Sequence, residues 1–439
     1  MLYRWLTPLF RAGLISTLCG SLVVLPTAYA EQSAGSDKQE VLMAELVGDE
    51  NVEDVAQSEP LQLLKPQEPS APVKEPSFPL KEPSASIKEP SASVEKPPAE
   101  VQEPSVGATV PSEQPAPREE ASSLTLLGSE VPPGTATRLS WSPAIQGAGL
   151  SQPTPVLVVN GARPGPTLCL TGAVHGDELN GIEIIRRTIY DLEPAKLSGR
   201  VIGVPIVNLP GFQQGSRYLP DRRDLNRHFP GSPDGNLADR IAHSLFENVI
   251  RHCDMLVDIH TGSLKRTNLP QLRADMNNPD VAELTRGFDR MAVVHSTGSK
   301  GMLRFAAIDA GICAVTMEAG ESLRIQEHQI KAGVNSLTSL MDKEGMISRM
   351  FVWGDPEPVY YDSEWVRAEH GGILFSETRL GDKVDKGEIL GYVSDPITNA
   401  QHRIRASSNG RVIGMAVDQV VMAGFAAYHV GTEAEVPAE

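Results

Sequence analysis

The sequence predicts an α/β fold, because apolar strand-like runs alternate with amphipathic helix-like segments from residue 135 to residue 348. Buried strands that alternate with helices are typical of a largely parallel sheet with helices on its faces. The strand-like runs are VLVVNG, PTLCLTGAV, RVIGVPIVN, DMLVDIH, MAVVHS and ICAVTMEAG. The helix-like segments are ELNGIEIIRRTIYDL, NLADRIAHSLFENVIRH, DVAELTRGFDR and LRIQEHQIKAGVNSLTSLMDKEG. We therefore expect a mixed, largely parallel sheet flanked by helices.

Residues 349–435 have a different pattern, in which short strand-like runs are separated by turns that contain Gly and Asp. This pattern predicts a small all-β domain. The segments LGDKVDKGEILGYV and SSNGRVIGMAVDQVVMAG resemble the two halves of a lipoyl-type or biotinyl-type barrel-sandwich. The connecting segment SDPITNAQHR has no lysine that could carry such a cofactor. We therefore expect a cofactor-free domain that narrows access to a site in the preceding domain.

Residues 1–30 are typical of a signal peptide for export. Arg4 and Arg11 precede a short apolar stretch, which is followed by the small-residue pattern Ala28-Tyr29-Ala30. The apolar stretch is short for a membrane span, and the pattern resembles a cleavage site. The sequence therefore predicts cleavage and a location in the periplasm, in the cell envelope or outside the cell, without stable membrane insertion. An uncleaved anchor is the alternative.

Residues 31–125 form a predicted linker that is rich in Pro, Glu, Ser and Lys. The tetrapeptide KEPS recurs at 74–77, 81–84 and 88–91. Frequent prolines prevent helix formation and remove backbone donors, and the alternating charges keep the backbone solvated. We expect a disordered, extended tether that holds the folded part of the chain away from a surface.

The formal net charge of −17 argues against nucleic acid or an anionic membrane as the main partner. Removal of the first 30 residues leaves three cysteines, Cys169, Cys253 and Cys313, each in or beside an apolar run. An odd number of cysteines does not suggest a disulfide framework, so buried free thiols are expected.

The segment GAVHGDELNG, residues 172–181, places His175 three residues before Glu178, between a strand-like and a helix-like run. On its own this pair fits an ordinary turn, because polar residues often satisfy the backbone there. A glutamate near the start of a helix also compensates the helix dipole. The pair gains weight only from two further residues. His260 ends the apolar strand before TG, and Glu318 ends another in the segment TMEAG.

Three such strand ends favour a common site, because ligand sites of open α/β sheets form at the carboxyl ends of the strands. Two imidazoles and one carboxylate are the ligands of a catalytic zinc ion with a fourth position left open for water. In that arrangement Glu318 remains available as a base.

The loop RYLPDRRDLNRHFPG, residues 217–231, concentrates arginines in an otherwise acidic protein. A solvated charged loop is one interpretation. The other is a pocket for a substrate carboxylate, because a guanidinium group binds a carboxylate through two parallel hydrogen bonds. Outside this loop, Arg273 and Arg304 are candidates for a second contact with a carboxylate.

The motifs HGDE, RDLNRHFPG, DIHTG and MEAG, in this order, resemble those of the succinylglutamate desuccinylase/aspartoacylase family of zinc carboxypeptidase-like hydrolases. The resemblance extends over roughly residues 135–435, the size of a catalytic domain with an appendage. Four ordered motifs are specific, whereas HxxE alone is weak. The resemblance implies one zinc ion per chain, with Glu318 as the general base and acid and with three ligands, His175, Glu178 and His260.

The resemblance also implies roles for the arginine-rich loop. Asn226 and Arg227 would hold the substrate carboxylate, and Asp224 would orient the first histidine ligand. An upstream arginine in this family polarises the scissile carbonyl group. Arg217 and Arg223 both remain candidates, because the spacing differs among relatives.

The implied function is that of an exported zinc-dependent hydrolase, a deacylase or amidohydrolase, that cleaves the amide bond of a small N-acyl amino acid. A carboxypeptidase or amidase that acts on cell-wall peptides is an alternative with the same metal chemistry. A non-catalytic binding protein of the envelope that retains the metal fold is a second alternative. The sequence leaves a homodimer open.

Overall fold

The computed structural model describes residues 121–143, 152–263, 265–349, 359–417 and 419–434. The predicted signal peptide and all but the last few residues of the predicted linker lie outside these ranges. Within the described ranges, no helix has the length and apolar character that crossing a membrane would require.

The described chain contains eighteen strands and six α-helices. The first ten strands are β1 Leu124–Leu126, β2 Ser129–Val131, β3 Thr135–Trp141, β4 Thr154–Asn160, β5 Arg163–Gly172, β6 Ser198–Val204, β7 Met255–Gly262, β8 Arg266–Ala274, β9 Ala292–His295 and β10 Cys313–Glu321. The remaining strands are β11 Val359–Arg367, β12 Gly372–Ser376, β13 Lys383–Val384, β14 Ile389–Ser394, β15 Gln401–Arg405, β16 Gly410–Ala416, β17 Val420–Val421 and β18 Ala426–Glu433. The helices are α1 Asn180–Tyr190, α2 Leu209–Gln214, α3 Leu237–Asn248, α4 Pro279–Thr285, α5 Leu303–Asp309 and α6 Glu327–Lys343.

The centre of the molecule is the predicted parallel sheet. Strands β6, β5, β7 and β10 are neighbours and run parallel, while β3, β4 and β8 pair antiparallel at their sides. All eight residues of β7 are buried, as expected for a central strand that is covered on both faces. This arrangement brings the carboxyl ends of β5, β7 and β10 to one edge of the sheet.

Helices cover both faces of this sheet. Apolar residues of α1, α4 and α6 pack in one core with the inner residues of the central strands, including Ile184, Leu284 and Leu337. Apolar residues of α3 and α5 belong to a second core, including Leu245 and Leu303. The start of α3 is fixed by a capping box, in which Asn236 accepts from the Asp239 backbone and the Asp239 carboxylate accepts in return.

The C-terminal strands are continuous with the central sheet. Strand β11 pairs with β9, β16 pairs with β8, and β18 lies between β11 and β16. Because β8 also pairs with β9, these five strands form a closed ring of hydrogen-bonded neighbours. Strands β12, β14, β15 and β17 form a separate small sheet. The mixed sheet with helices and C-terminal strands agrees with the predicted fold class, and the domain boundary at residue 349 remains a prediction.

The expectation of three free thiols was wrong for two of them, because Cys169 and Cys253 form a disulfide bond. Cys169 lies in β5, and Cys253 stands two residues before the neighbouring parallel strand β7, so their Cα atoms are 5.7 Å apart. The 84 residues between them conceal this proximity in the sequence. Of the described cysteines, Cys313 remains a free thiol.

Candidate metal centre and active site

The loop after β5 presents the first two residues of the site. Val207 and Asn208 donate backbone hydrogen bonds to Gly172 and Ala173, which ties the end of β5 to the segment after β6. A Cβ atom on Gly176 would lie 2.1 Å from the backbone of Gly211, so only glycine fits between these segments. The loop therefore reverses sharply after the strand.

His175 and Glu178 lie on this loop, and the Glu178 backbone nitrogen donates to the His175 carbonyl oxygen. Helix α1 begins only at Asn180, so Glu178 precedes the helix rather than belonging to its first turn. His260 approaches from β7, the neighbouring strand of β5. The sequence thus places two site residues on one loop and the third on the adjacent strand.

The side chains of His175, Glu178 and His260 converge in the interior. The Nδ1 atom of His175 lies 2.9 Å from Oε1 of Glu178, and the Nδ1 atom of His260 lies 2.7 Å from Oε2. The two Nδ1 atoms are 3.1 Å apart. All three residues are at least 96% buried, and their potential ligand atoms lie within 4.8 Å of one another.

A carboxylate lies beside the outer nitrogen, Nε2, of each histidine. Nε2 of His175 lies 3.0 Å from Asp224, and Nε2 of His260 lies 2.8 Å from Asp258. Thr171 donates to the second oxygen of Asp258 at 2.7 Å. With a metal ion bound between the histidines, each Nε2 would donate its proton to the neighbouring carboxylate and each Nδ1 would direct its lone pair inward.

The inner atoms therefore form a set of acceptors that fits a cation. Two imidazole nitrogens and a carboxylate form the donor set of a catalytic zinc site with an open position. Burial alone would lower the pKa of His260, but Asp258 and Glu178 raise that pKa well above its usual value. Burial opposes the charge of Glu178, yet His175 and His260 hold its pKa well below the usual range. The site thus strongly favours positive charge beside an ionised carboxylate.

Arg217 borders this cluster. Its Nη1 atom lies 3.2 Å from Nδ1 of His175 and 3.3 Å from Oε1 of Glu178, and its Nη2 atom donates to Asp224 at 2.9 Å. Arg223, the other candidate from the sequence, pairs with Asp221 and its side chain is 46% exposed. The structure thus brings Arg217, but not Arg223, to the cluster.

Glu318 lies on β10 in register with His260 on β7, and register partners of adjacent parallel strands point to the same face. Its Oε1 atom is 3.0 Å from Nε of Arg273, and Asn268 donates to its Oε2 atom at 3.1 Å. Arg304, the other candidate for a second carboxylate contact, donates to the Ser296 carbonyl oxygen at 2.7 Å. Burial, with Arg273 nearby, lowers the pKa of Arg304 to about 10, so it remains charged at neutral pH.

Asn226 and Arg227 lie in a short 3-10 turn beside Asp224. The Asn226 backbone nitrogen donates to Asp224 at 2.9 Å, and its side-chain oxygen accepts from the Leu303 backbone at the start of α5. Nη1 of Arg227 donates to the Asn226 carbonyl oxygen at 2.9 Å. The structure therefore places both residues next to the cluster, and their contact with a substrate remains a prediction.

Three residues of the site were absent from the sequence prediction. Asp258 stands two positions before His260 on the same strand, and alternate residues of a strand share a face, so this spacing was a usable signal. Asn268 and Thr171 have no comparable signal, because only the strand pairing brings them to the site.

The comparisons with known proteins agree with this geometry. Residues 164–343 match the family model of the succinylglutamate desuccinylase/aspartoacylase catalytic domain, and that range contains His175, Glu178, His260 and Glu318. This part of the chain is therefore similar to that family, and the matched range includes the site. Similarity to this family supports the inference that the protein hydrolyses amide bonds.

Individual relatives extend the match over more of the chain. The N-alpha-acetyl-L-2,4-diaminobutyric acid deacetylase of Halomonas elongata is 28% identical over 255 residues, which are 55% of this chain and 74% of that protein. The crystal structure of a succinylglutamate desuccinylase/aspartoacylase from Rhodobacter sphaeroides has a TM-score of 0.61 and 25% identity, and the match covers 68% of this chain and 96% of that one. The product-bound ectoine utilization protein EutE of Ruegeria pomeroyi has a TM-score of 0.61 and 26% identity, over 72% of this chain and 99% of that one.

Proposed function

We propose that this protein is a member of the succinylglutamate desuccinylase/aspartoacylase family and an exported zinc-dependent deacylase that cleaves the amide bond of a small N-acyl amino acid. The observation that carries the proposal is the convergence of His175, Glu178 and His260, with a carboxylate behind each histidine and Glu318 on the next strand. The deacetylase of Halomonas elongata supports the class of substrate.

Zinc held by these three residues would supply Lewis acidity to the amide carbonyl group and make a nearby water molecule more acidic. Glu318 takes a proton from that water as its oxygen bonds to the carbonyl carbon. The same carboxyl group then gives the proton to the amide nitrogen as the C–N bond breaks. The products are a carboxylic acid and an amine.

The other residues hold charge and orientation during this reaction. Arg217 directs a guanidinium nitrogen to the edge of the cluster, where it can donate to the developing oxyanion. Asp224 and Asp258 fix the protons on the outer nitrogens of the two histidines. Asn226 and Arg227 bind the carboxylate of the substrate, which sets the distance between that group and the scissile bond.

Metal analysis and a substrate panel test this proposal. The purified protein should bind one equivalent of zinc and hydrolyse N-acyl amino acids faster than cell-wall peptides. Faster cleavage of the peptides would favour the carboxypeptidase or amidase alternative. Zinc binding without hydrolysis of either class would favour a binding protein.

Glu318→Gln tests the role of the base. The variant should lose about 100- to 10,000-fold in kcat and still bind one equivalent of zinc, since Glu318 is outside the ligand set. Glu321→Gln is the matched control, because Glu321 is a buried carboxylate of the same strand that pairs with Arg324. Near-normal turnover by Glu318→Gln would show that another group is the base.

Export is supported by the disulfide bond between Cys169 and Cys253, because such bonds persist mainly in oxidising compartments. Fractionation of cells and N-terminal sequencing test this part. The mature chain should begin at Glu31 and appear in the periplasm or outside the cell. A protein that retains Met1 in the membrane fraction would indicate an uncleaved anchor.

A further inference from the structure

Asn268 lies where three strands meet. It belongs to β8, and its backbone is in register with Gly320 of β10 on one side and with Gly414 of β16 on the other. Its relative exposure is 2%. The residue therefore joins the strand of Glu318 to a strand of the C-terminal region.

The side chain of Asn268 contacts the carboxylate of Glu318. Its Nδ2 atom donates to Oε2 at 3.1 Å, while Arg273 lies 3.0 Å from Oε1. Because an ionised carboxylate only accepts hydrogen bonds, the amide nitrogen must face Glu318. Both carboxylate oxygens are thus held, each by a different residue of β8, and each retains a lone pair for a further donor.

The opposite side of the amide group is packed against the C-terminal region. A Cβ atom on Gly414 would lie 2.6 Å from Oδ1 of Asn268, closer than real Cβ contacts allow. Within the described part of the chain, Oδ1 has no hydrogen-bond partner that would hold the amide in place. Its orientation therefore depends on the donation to Glu318 and on the space beside Gly414.

We propose that Asn268 is a positioning residue for Glu318 and that strand β16 sets this position through the absence of a side chain at Gly414. The inference rests on the proposed function, in which Glu318 moves the proton. Asn268 holds Oε2 so that the other lone pairs of the carboxylate face the cluster of His175 and Glu178. The C-terminal strands thereby contribute to catalysis without touching the substrate.

Two substitutions at Asn268 separate donation from packing. Asn268→Asp keeps the shape of the side chain but cannot donate a hydrogen bond when ionised. Asn268→Ala removes both the hydrogen-bond donor and the packing of the side chain. Each should lower kcat by about 10- to 100-fold with little change in KM and in zinc stoichiometry, because the residue contacts neither substrate nor metal ligands. Asn160→Asp is the matched control, since Asn160 is equally buried in β4 and donates to Ser122 and Val131. It should change the melting temperature but not kcat.

A double-mutant cycle tests the contribution of β16. Gly414→Ala should lower kcat in the wild-type background and have no further effect in the Asn268→Ala background, because its target is then absent. Gly431→Ala is the control, as its Cβ would crowd Tyr361 and Ile413 within the same ring of strands. Its effect on kcat should be small and the same in both backgrounds.

Two results would overturn the proposal. One is a wild-type kcat in Asn268→Asp together with a lowered kcat in Asn268→Ala, which would indicate that Asn268 acts through packing alone. The other is an effect of Gly414→Ala that adds to that of Asn268→Ala. If the wild-type protein cleaves no amide, the proposed function fails, and crystal structures decide the inference instead. A displaced Glu318 carboxylate in Asn268→Asp would support it, and an unmoved one would overturn it.

Discussion

Buried histidines occupy two regions of this molecule with opposite surroundings. At the strand ends, His260 lies between the carboxylates of Asp258 and Glu178, which raise its pKa. In the C-terminal strands, His429 stacks on Trp365 with ring centroids 4.4 Å apart. Burial, and then the positive charges of Arg273 and Arg266, lower the pKa of His429 to about 3.

The comparison shows that burial alone does not make a histidine a metal ligand. Both histidine residues are at least 96% buried. Only His260 has a carboxylate on its outer nitrogen and other ligand atoms near its inner one, whereas Nε2 of His429 lies 2.9 Å from the hydroxyl of Ser363. The neighbouring charges, more than the depth, distinguish a ligand from a neutral structural residue.

The largest expected difference between the two regions is in metal binding. His260→Ala should weaken zinc binding by more than about 100-fold, the upper range for loss of a residue that only supports a ligand. His429→Ala should leave zinc stoichiometry at one per chain. Zinc titration followed by metal analysis measures both. Equal losses in the two variants would show that the distinction between the regions is false.

A smaller effect on zinc binding is expected at the carboxylate of Asp258, which contacts His260. Asp258→Asn should weaken zinc binding by about 10- to 100-fold, because the amide no longer fixes the proton of His260 as a carboxylate does. Ser363→Ala removes the corresponding partner of His429 and should leave zinc affinity unchanged. A competition assay with a chelator measures both affinities. If Asp258→Asn binds zinc as the wild type does, the carboxylate is not needed.

The smallest effect concerns stability against pH. The folded pKa of His429, about 3, is below its ordinary value of 6.5. Between these values the unfolded chain binds a proton that the folded chain does not, so stability falls as pH falls. His429 should contribute a decrease of about 1 kcal/mol in the free energy of unfolding from pH 6 to pH 5.

Denaturant unfolding of the wild type and of His429→Gln at both pH values measures this contribution. The His429→Gln variant should lack the contribution of His429 to the pH dependence of the free energy of unfolding. His370→Gln, which replaces an exposed histidine of the same region, should retain it. An unchanged pH dependence in His429→Gln would show that His429 is protonated as easily in the folded chain as in the unfolded one.

Much of the fold follows from local patterns in the sequence. The runs that contain His260 and Glu318 are predominantly apolar, and each forms a central strand of the sheet. Strand β8 was missed, because RTNLPQLRA contains a proline and two arginines and lacks a continuous apolar run. Its pairing with β10, β9 and β16 makes it a strand, and no local pattern reports that pairing.

The same limit applies to the site. The ligand candidates could be predicted because each lies at or just after the end of a recognisable strand, and because the family resemblance placed their motifs in order. The choice between Arg217 and Arg223 could not be predicted from the sequence. Both residues belong to one loop, and only the fold directs Arg217 toward the cluster. The pairing of Cys169 with Cys253 likewise depends on the adjacency of β5 and β7, which the sequence does not state.

The disulfide bond also determines how the protein responds to a protease. His175, Glu178 and Asp224 lie between Cys169 and Cys253, whereas His260 lies beyond the second cysteine. A single cut of the backbone between Glu178 and Cys253 would therefore divide the ligand set between two peptides that remain covalently joined. Such a nicked chain would migrate as one species on a gel until a reducing agent is added. In an extracellular setting, the bond would keep the two parts of the metal centre together after the chain itself has been cut.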